Sequence, residues 1–518
     1  MYFIYICRLN PPVMKKTALL LILCLLGIAL HAQKHSPKVK PADPPAPYGP
    51  VPTPAQVTWQ RMEMNLFCHF GPNTFTGLEW GEGTEAEDIF NPTALDCNQW
   101  VSVAKQAGFG GIILTAKHHD GFCLWPNPAS THTVRESAWR NGKGDVLKEL
   151  SEACRKGGLK FGVYISPWDR NAPTYGTPAY NKVFLKTLRS AHKHYGPIFE
   201  QWFDGANGEG PNGKRQVYDW KKFNAQTLKL QPNAVIFSDV GPGCRWVGNE
   251  EGTCGRTCWS RLDVEGREPG NNAPSQDTLN AGNYNGGSWI PAETDVSIRP
   301  GWFWRDSEHP KSVQELLKIY YNSVGRNSQL LLNVPPDNRG LIPAEDSLRL
   351  MEFRAALDSI FAQDLAKRAH YFCASNFRGI GLYRSYRDCY NNSALSSISP
   401  IKYDASWLID NDYNTYWATD DSVTTAWVEL TFDNPQTFNR VLLQEYIPLG
   451  QRVEKFHIEI EDENGNWRTI TKESTIGYKR IVLTETVTTK KVRIVIDQSR
   501  ACIVLNKVGL FLDNIYRE

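Results

Sequence analysis

The sequence predicts a parallel (β/α)8-like TIM barrel followed by an all-β sandwich. Three observations carry that expectation. Between about residues 56 and 364, short β-type runs alternate with longer amphipathic stretches, the order that builds a parallel sheet covered by helices. Six such units can be traced there, two short of a closed barrel. From about residue 366 the runs become β-branched and alternating, with turn residues at close intervals, as in Glu463-Asn464-Gly465-Asn466. A doubly wound sheet is the alternative architecture for the first part.

Residues 1–32 read as an export leader. Lys15 and Lys16 precede an apolar run from Ala18 to Leu30, and His31-Ala32-Gln33 closes it, in the basic, apolar, small order of a secretory signal. Met14 is the expected true start. The run is too short to cross a bilayer comfortably, and no later segment is apolar enough to do so. The expected location is periplasmic or secreted. Residues 33–55 form a Pro-rich linker.

The barrel is expected over residues 56–365. Its strand candidates are Asn65–Cys68, Gly111–Thr115, Lys160–Ile165, Ile198–Phe203, Ala234–Phe237 and Gln329–Asn333. Its helix candidates are Trp100–Ala107, Val146–Lys156, Tyr180–Tyr195, Trp220–Leu230 and Val313–Val324. In the last, Val313, Leu316, Leu317 and Tyr320 fall at helical spacing. The two remaining strands are expected between Gly252 and Arg305. The sandwich is expected over residues 366–518, with strands at Trp427–Phe432, Val441–Glu445, Phe456–Ile460, Arg480–Leu483 and Val492–Ile496.

Composition narrows the function. A chain that is 41% hydrophobic and 22% charged folds, and a net charge of +2 leaves no broad basic surface for nucleic acid. The 17 Trp, 21 Tyr and 22 Phe suit a surface that packs on the C–H faces of sugars, and equally suit large aromatic cores. The ten cysteines beyond the leader show no paired metal spacing. Cys254 and Cys258 either bridge or stay as free thiols. No Gly-rich phosphate loop, GxSxG elbow or HExxH helix is present.

Polar residues gather at the C-terminal ends of the strand candidates, where barrel enzymes keep their active sites. The first ends in His69-Phe70-Gly71, and the second runs into Lys117-His118-His119-Asp120. The third contains Tyr164, the fourth ends in Trp202-Phe203-Asp204-Gly205, and the fifth reaches Ser238-Asp239. Asp204, on a rigid strand end among aromatics, has the fixed geometry of a nucleophile; a turn or helix-cap aspartate explains the position equally well. Glu250, Glu251 and Glu293 are the candidates for a second carboxyl that keeps a proton near neutrality. His118 and His119 suit hydrogen bonds to hydroxyls, and with His69 they leave a three-histidine metal site open.

Taken together, Phe67-Cys68-His69-Phe70-Gly71, Lys117-His118-His119-Asp120-Gly121-Phe122, Trp202-Phe203-Asp204-Gly205 and Leu331-Leu332-Asn333-Val334-Pro335-Pro336 resemble the α-L-fucosidases of glycoside hydrolase family 29. The resemblance covers about residues 56–364. It implies a retaining hydrolase that needs no cofactor for catalysis and acts on fucosylated oligosaccharides or glycoconjugates. Asp204 matches the nucleophile of that family. His69, Glu79, Trp80, His118, His119, Tyr164 and Trp302 match fucose contacts. Trp246-Val247-Gly248-Asn249-Glu250 resembles the subgroup that removes α-1,3/1,4-linked fucose from Lewis-type glycans, which makes Glu250 the acid/base, with Glu251 and Glu293 as alternatives. A broader enzyme acting on α-1,2 linkages and a non-catalytic fucose-binding protein are the rival readings.

In the second domain, Leu408-Ile409-Asp410-Asn411-Asp412-Tyr413-Asn414-Thr415-Tyr416-Trp417 resembles the discoidin-like, galactose-binding family. An early loop of that family often binds calcium, which makes Asp410, Asp412 and Thr415 candidate structural-calcium ligands; a plain hydrogen-bonded turn is the alternative.

Overall fold

The structure, a computed structural model, describes residues 42–382 and 402–517. The leader and most of the predicted linker lie outside the described residues. Eight strands close a barrel in which every neighbouring pair is parallel. They are β1 (Met64–Cys68), β2 (Gly111–Lys117), β3 (Lys160–Ile165), β4 (Glu200–Trp202), β5 (Val235–Ser238), β6 (Cys244–Trp246), β7 (Ala292–Ser297) and β8 (Ser328–Asn333).

Six of these fall where the hydrophobic runs place them, within a few residues. The other two do not both lie between Gly252 and Arg305. Only β7 does, and β6 precedes that window. Its partner β5 runs parallel to it with Phe237 opposite Cys244, so only residues 239–243 connect the two. Parallel strands ordinarily need a crossover of a dozen or more residues with a helix. Here Gly241, at φ +81°, lets the chain reverse in five, and Ser238 Oγ donates to the Gly241 carbonyl at 2.6 Å. With no helix between them, a three-residue strand leaves no periodic trace in the sequence.

Long helices cover the barrel: α1 (Pro54–Gln60), α2 (Cys97–Gln106), α3 (Val146–Gly157), α4 (Pro178–His194), α5 (Trp220–Leu230), α6 (Val313–Asn322) and α7 (Ala344–Phe361). Local chemistry sets their ends. Asp145 caps α3 by accepting from Lys148 N, and Gly158 stops it in the left-handed region at φ +78°. Between them Val146, Leu147, Leu150, Ala153 and Cys154 turn one face to the core. Ser312 and Glu315 form a capping box that opens α6.

The linker prediction needs two corrections. Pro54 and Ala55 are not linker but the first turn of α1, where Thr53 and Gln56 form a capping box and Pro54 sits at a position whose N–H has no helical partner. The segment before them is docked: Tyr48 N donates to the Leu449 carbonyl at 3.0 Å, and Arg452 Nη2 donates to the Ala46 carbonyl at 2.6 Å.

The second part is all-β and antiparallel: β9 (Tyr371–Ala374), β10 (Trp417–Ala418), β11 (Ala426–Glu445), β12 (Val453–Glu461), β13 (Trp467–Glu473), β14 (Arg480–Ser499) and β15 (Val504–Phe511). They form one hydrogen-bonded sheet in the order β10-β15-β11-β14-β12-β13, with β9 also on β11. Four runs that look like separate strands in the sequence are halves of two twenty-residue strands. Trp427–Phe432 and Val441–Glu445 both belong to β11, and Arg480–Leu483 and Val492–Ile496 both belong to β14. Register shifts after Thr431 and Phe438 mask their continuity.

This sheet buttresses the barrel. Leu442, Ile481 and Phe511 share one hydrophobic core with the barrel helices. Tyr321 Oη donates to Asp513 Oδ2 at 2.7 Å, Ser260 N donates to Gln451 Oε1 at 2.7 Å, and Tyr478 N donates to Asn327 Oδ1 at 2.7 Å. Among the described residues no helix is long and apolar enough to cross a membrane.

Candidate active site

At the C-terminal rim of the barrel, twelve side chains line one pocket with about 400 Å³ of free space: Phe67, His69, Glu79, Trp80, His118, His119, Tyr164, Trp202, Asp204, Glu250, Asp295 and Trp302. Every predicted sugar contact is there.

Asp204 lies two residues beyond β4. Ala206 N donates to its Oδ1 at 2.8 Å, Tyr164 Oη donates to its Oδ2 at 3.0 Å, and His119 Nε2 lies 3.6 Å from the same oxygen. Burial pushes its carboxyl above the usual range, while the Ala206 and Tyr164 donors pull the other way by favouring the ionised form. Tyr164 is fixed by stacking, with ring centroids 5.1 Å from Trp202 and 5.6 Å from His118.

Of the three glutamates open in the sequence, the structure brings one to the pocket. Glu250 stands at its exposed edge, where Trp302 Nε1 donates to Oε2 at 3.1 Å. Partial burial, Asp204 and Glu79 push its carboxyl up. Glu251 is exposed and does not line the pocket. Glu293 is sealed inside the barrel, where it accepts from Trp202 Nε1 at 2.9 Å and pairs with Glu200. Glu200 accepts from Trp59 Nε1 at 2.7 Å and is pushed up to about 7 by burial. Two sealed carboxyls without a cation share a proton.

The histidines are held separately. His69 Nδ1 lies 2.9 Å from Asn333 Oδ1, and His119 Nδ1 lies 2.8 Å from Ser166 Oγ. Burial drives His69 and His119 down to about 3 and His118 well below its ordinary value. All three are neutral imidazoles at physiological pH, suited to exchanging hydrogen bonds with hydroxyls. They do not gather as a metal site. Among the described residues, the group offering His, Cys or carboxylate ligand atoms within 4.8 Å of one another is Glu200, Cys244 and Glu293, in the sealed barrel interior.

Glu79 is clamped by Arg305 Nη2 at 2.6 Å and by Trp302 N at 3.2 Å. Trp80 is exposed at the rim, edge-on to Trp168 and His119. Behind the rim, Lys117 Nζ donates to the Ser166 and Trp168 carbonyls at 2.9 and 3.0 Å and pairs with Asp169 at 3.2 Å, tying the ends of β2 and β3 together.

Sequence reasoning passed over Asp295. It lies on β7 two residues after Glu293, on the same face by strand alternation but nearer the rim. That spacing of two was the available signal. Asn333, quoted within a motif but given no role, holds His69 and also donates from Nδ2 to the Trp302 carbonyl at 2.8 Å.

The carboxyls of Asp204, Glu250 and Glu79 around one pocket favour a reaction that develops positive charge. Residues 48–358 match the family model described as alpha-L-fucosidase. The chain belongs to the α-L-fucosidase family. Residues 392–506 match the F5/8 type C domain model. Alpha-L-fucosidase 1 of Arabidopsis thaliana is 40% identical over 473 residues, covering 90% of this chain and 89% of the relative. A Ruminococcus gnavus glycoside hydrolase 29 fucosidase solved in complex with fucose superposes with a TM-score of 0.80 at 30% identity, covering 91% of this chain and 97% of that one. A glycoside hydrolase 29 family member from an unknown rumen bacterium gives a TM-score of 0.76 at 39% identity, covering 91% and 79%. The enzyme is thus a glycoside hydrolase whose family needs no catalytic cofactor.

Away from the pocket, the Asp410–Thr415 segment is internally hydrogen-bonded. Asp412 N donates to Asp410 Oδ1 at 2.7 Å, Asn414 N donates to Asp412 Oδ1 at 2.9 Å, and Thr415 Oγ1 donates to Asp410 Oδ2 at 2.6 Å. Cys254 and Cys258 are buried free thiols.

Proposed function

We propose that this fucosidase removes terminal α-1,3/1,4-linked L-fucose from Lewis-type glycans with retention of configuration. The observation that carries the mechanism is that Asp204 and Glu250, from separate strand ends, face one pocket. Asp204 is held rigidly at its inner side, and Glu250 stands at its open edge.

Asp204 attacks the anomeric carbon as the bond to the leaving oxygen breaks, and the Glu250 proton passes to that oxygen. The product is a fucosyl ester of Asp204. The Glu250 carboxylate then takes a proton from water, whose oxygen attacks the anomeric carbon and frees Asp204. Retention requires the two carboxyls to work about 5–5.5 Å apart. The neutral histidines and the Arg305-clamped Glu79 hold hydroxyls. A methyl alone is worth only about 1–3 kcal/mol, so hydroxyl orientation carries most of the sugar selectivity. The linkage preference rests on the resemblance of the Trp246–Glu250 segment to the subgroup that acts on α-1,3/1,4 linkages.

Asp204→Ala is expected to abolish fucose release from an aryl α-L-fucoside while keeping the fold. Azide added to Glu250→Ala is expected to restore turnover and yield α-fucosyl azide, the product of a second inversion at the fucosyl–Asp204 ester. Rescue in Glu293→Ala instead overturns the acid/base assignment. Lewis trisaccharides are expected to be cleaved faster than 2′-fucosyl substrates, and the reverse order refutes the linkage.

The leader pattern of residues 1–32 supports export to the periplasm or beyond. The oxygens of Asp410, Asp412 and Thr415 suit calcium chemically; a calcium-dependent rise in Tm that Asp412→Asn removes tests that site.

A further inference from the structure

Asp295 belongs to the pocket but has no part in the two-carboxyl mechanism. It is 2% exposed, and its Oδ1 accepts one hydrogen bond, from Trp246 Nε1 at 2.9 Å. Three other carboxylates near the rim are better provided for. Asp204 has the Ala206 N–H and the Tyr164 hydroxyl, Glu79 has Arg305, and Asp169 has Lys117. No ion pair involves Asp295 among the described residues.

The charged groups that act most strongly on Asp295 are of its own sign. Asp204 faces it from beyond β4, Glu250 faces it from the loop after β6, and Glu293 lies deeper on its own strand. An ionised Asp295 would be a buried charge with an indole and its own backbone N–H as donors, between two further carboxylates and with no cation, an arrangement that favours the neutral acid. Burial, then Glu250 and Asp204, push its carboxyl well above the usual range, against its own backbone N–H and the Trp246 indole, which favour the ionised form. With Oδ1 taken by Trp246, the proton belongs on Oδ2, and Asp295 becomes a donor in a pocket otherwise rich in acceptors.

We propose that Asp295 binds the sugar as a neutral carboxylic acid, its Oδ2–H donating a hydrogen bond to a hydroxyl of the fucose in the pocket. This rests on the fucosidase reading of the pocket and adds a residue that determines which sugar fits. An amide offers the same shape with a neutral N–H donor, so asparagine imitates this state, whereas it imitates an ionised carboxylate poorly.

The test compares kcat/KM of the full-length enzyme on an aryl α-L-fucoside and its 2-, 3- and 4-deoxy analogues. A hydrogen bond whose loss strands a buried polar group corresponds to roughly 10- to 100-fold in rate. Asp295→Asn is expected to stay within about threefold of the parent, and Asp295→Ala to fall by that 10- to 100-fold. One deoxy substrate is expected to cost the parent a similar factor and to cost Asp295→Ala nothing more, because donor and acceptor form one contact. Thermal melts confirm folding, with Asp295→Ser replacing the alanine variant if that fails to fold.

The proposal is overturned if Asp295→Asn falls as far as Asp295→Ala, which would show that the ionised form works. It is also overturned if the Asp295→Ala loss multiplies with every deoxy substitution, which would place the donor's partner on the protein. Asp204→Ala distinguishes the two levels of the argument: turnover surviving in that variant defeats the fucosidase mechanism itself, whatever Asp295 does.

Discussion

Tyr164→Phe isolates one hydrogen bond at the nucleophile. The ring is 1% exposed and stacked between Trp202 and His118, so phenylalanine keeps the packing and removes only the hydroxyl that donates to Asp204 Oδ2 at 3.0 Å. A hydrogen bond to a charged group contributes about 1.5–3 kcal/mol, and the lower end applies here because water reaches part of the carboxylate. The hydroxyl favours the ionised form of Asp204, so its loss makes Asp204 harder to ionise and carries the acid limb of kcat/KM to higher pH. At about 1.36 kcal/mol per unit, the expected movement is about one pH unit. Activity at the optimum is expected to fall about tenfold through looser orientation of the nucleophile. The assay is a pH–rate profile on an aryl fucoside, whose kcat/KM limbs report the free enzyme. An active, folded variant whose acid limb stays put, or moves to lower pH, refutes the assignment of that limb to Asp204.

Three further outcomes follow from the same contacts. Trp302→Phe removes the indole donor to Glu250 Oε2, which favours the ionised acid/base, so the alkaline limb of kcat/KM is expected to move up; the exposure of Glu250 keeps the movement to a few tenths of a pH unit. The buried Glu200–Glu293 pair binds its protons more tightly folded than unfolded, so the stability it contributes is present at low pH and is lost as pH rises from the unfolded range through about 7; Glu293→Gln is expected to flatten that decline in a series of pH-dependent melts, and an unchanged slope counts against the pair. Lys117→Met strands Asp169 without its cation and leaves the Ser166 carbonyl unsatisfied, while the Trp168 carbonyl keeps the Ser166 hydroxyl as donor; chemical denaturation is expected to show a loss of about 3–5 kcal/mol, and a change under 1 kcal/mol would show that water replaces the lysine.

Much of this enzyme was legible before folding because its information is local. Hydrophobic periodicity located six barrel strands and their helices, since each run must bury one face wherever it ends up. Polar residues after the strand runs located the rim, and with it His69, His118, His119 and Asp204, because parallel strands put all their C-terminal ends on one side. What escaped depends on distances between segments far apart in the chain. β6 follows a five-residue reversal with no helix, so it has no period to read. β11 and β14 looked like four strands because bulges break alternation without breaking the ladder. Spacing alone left Glu250, Glu251 and Glu293 open, and the motif resemblance favoured Glu250. Only the closed barrel turns Glu293 inward to share a proton with Glu200, leaves Glu251 in solvent and sets Glu250 at the pocket edge beside Trp302. Asp295 was hidden for the same reason. Its two-residue spacing from Glu293 specifies a shared face, but depth along the barrel axis, which separates a sealed structural carboxyl from one that meets the sugar, exists only once eight strands are staggered around a common core.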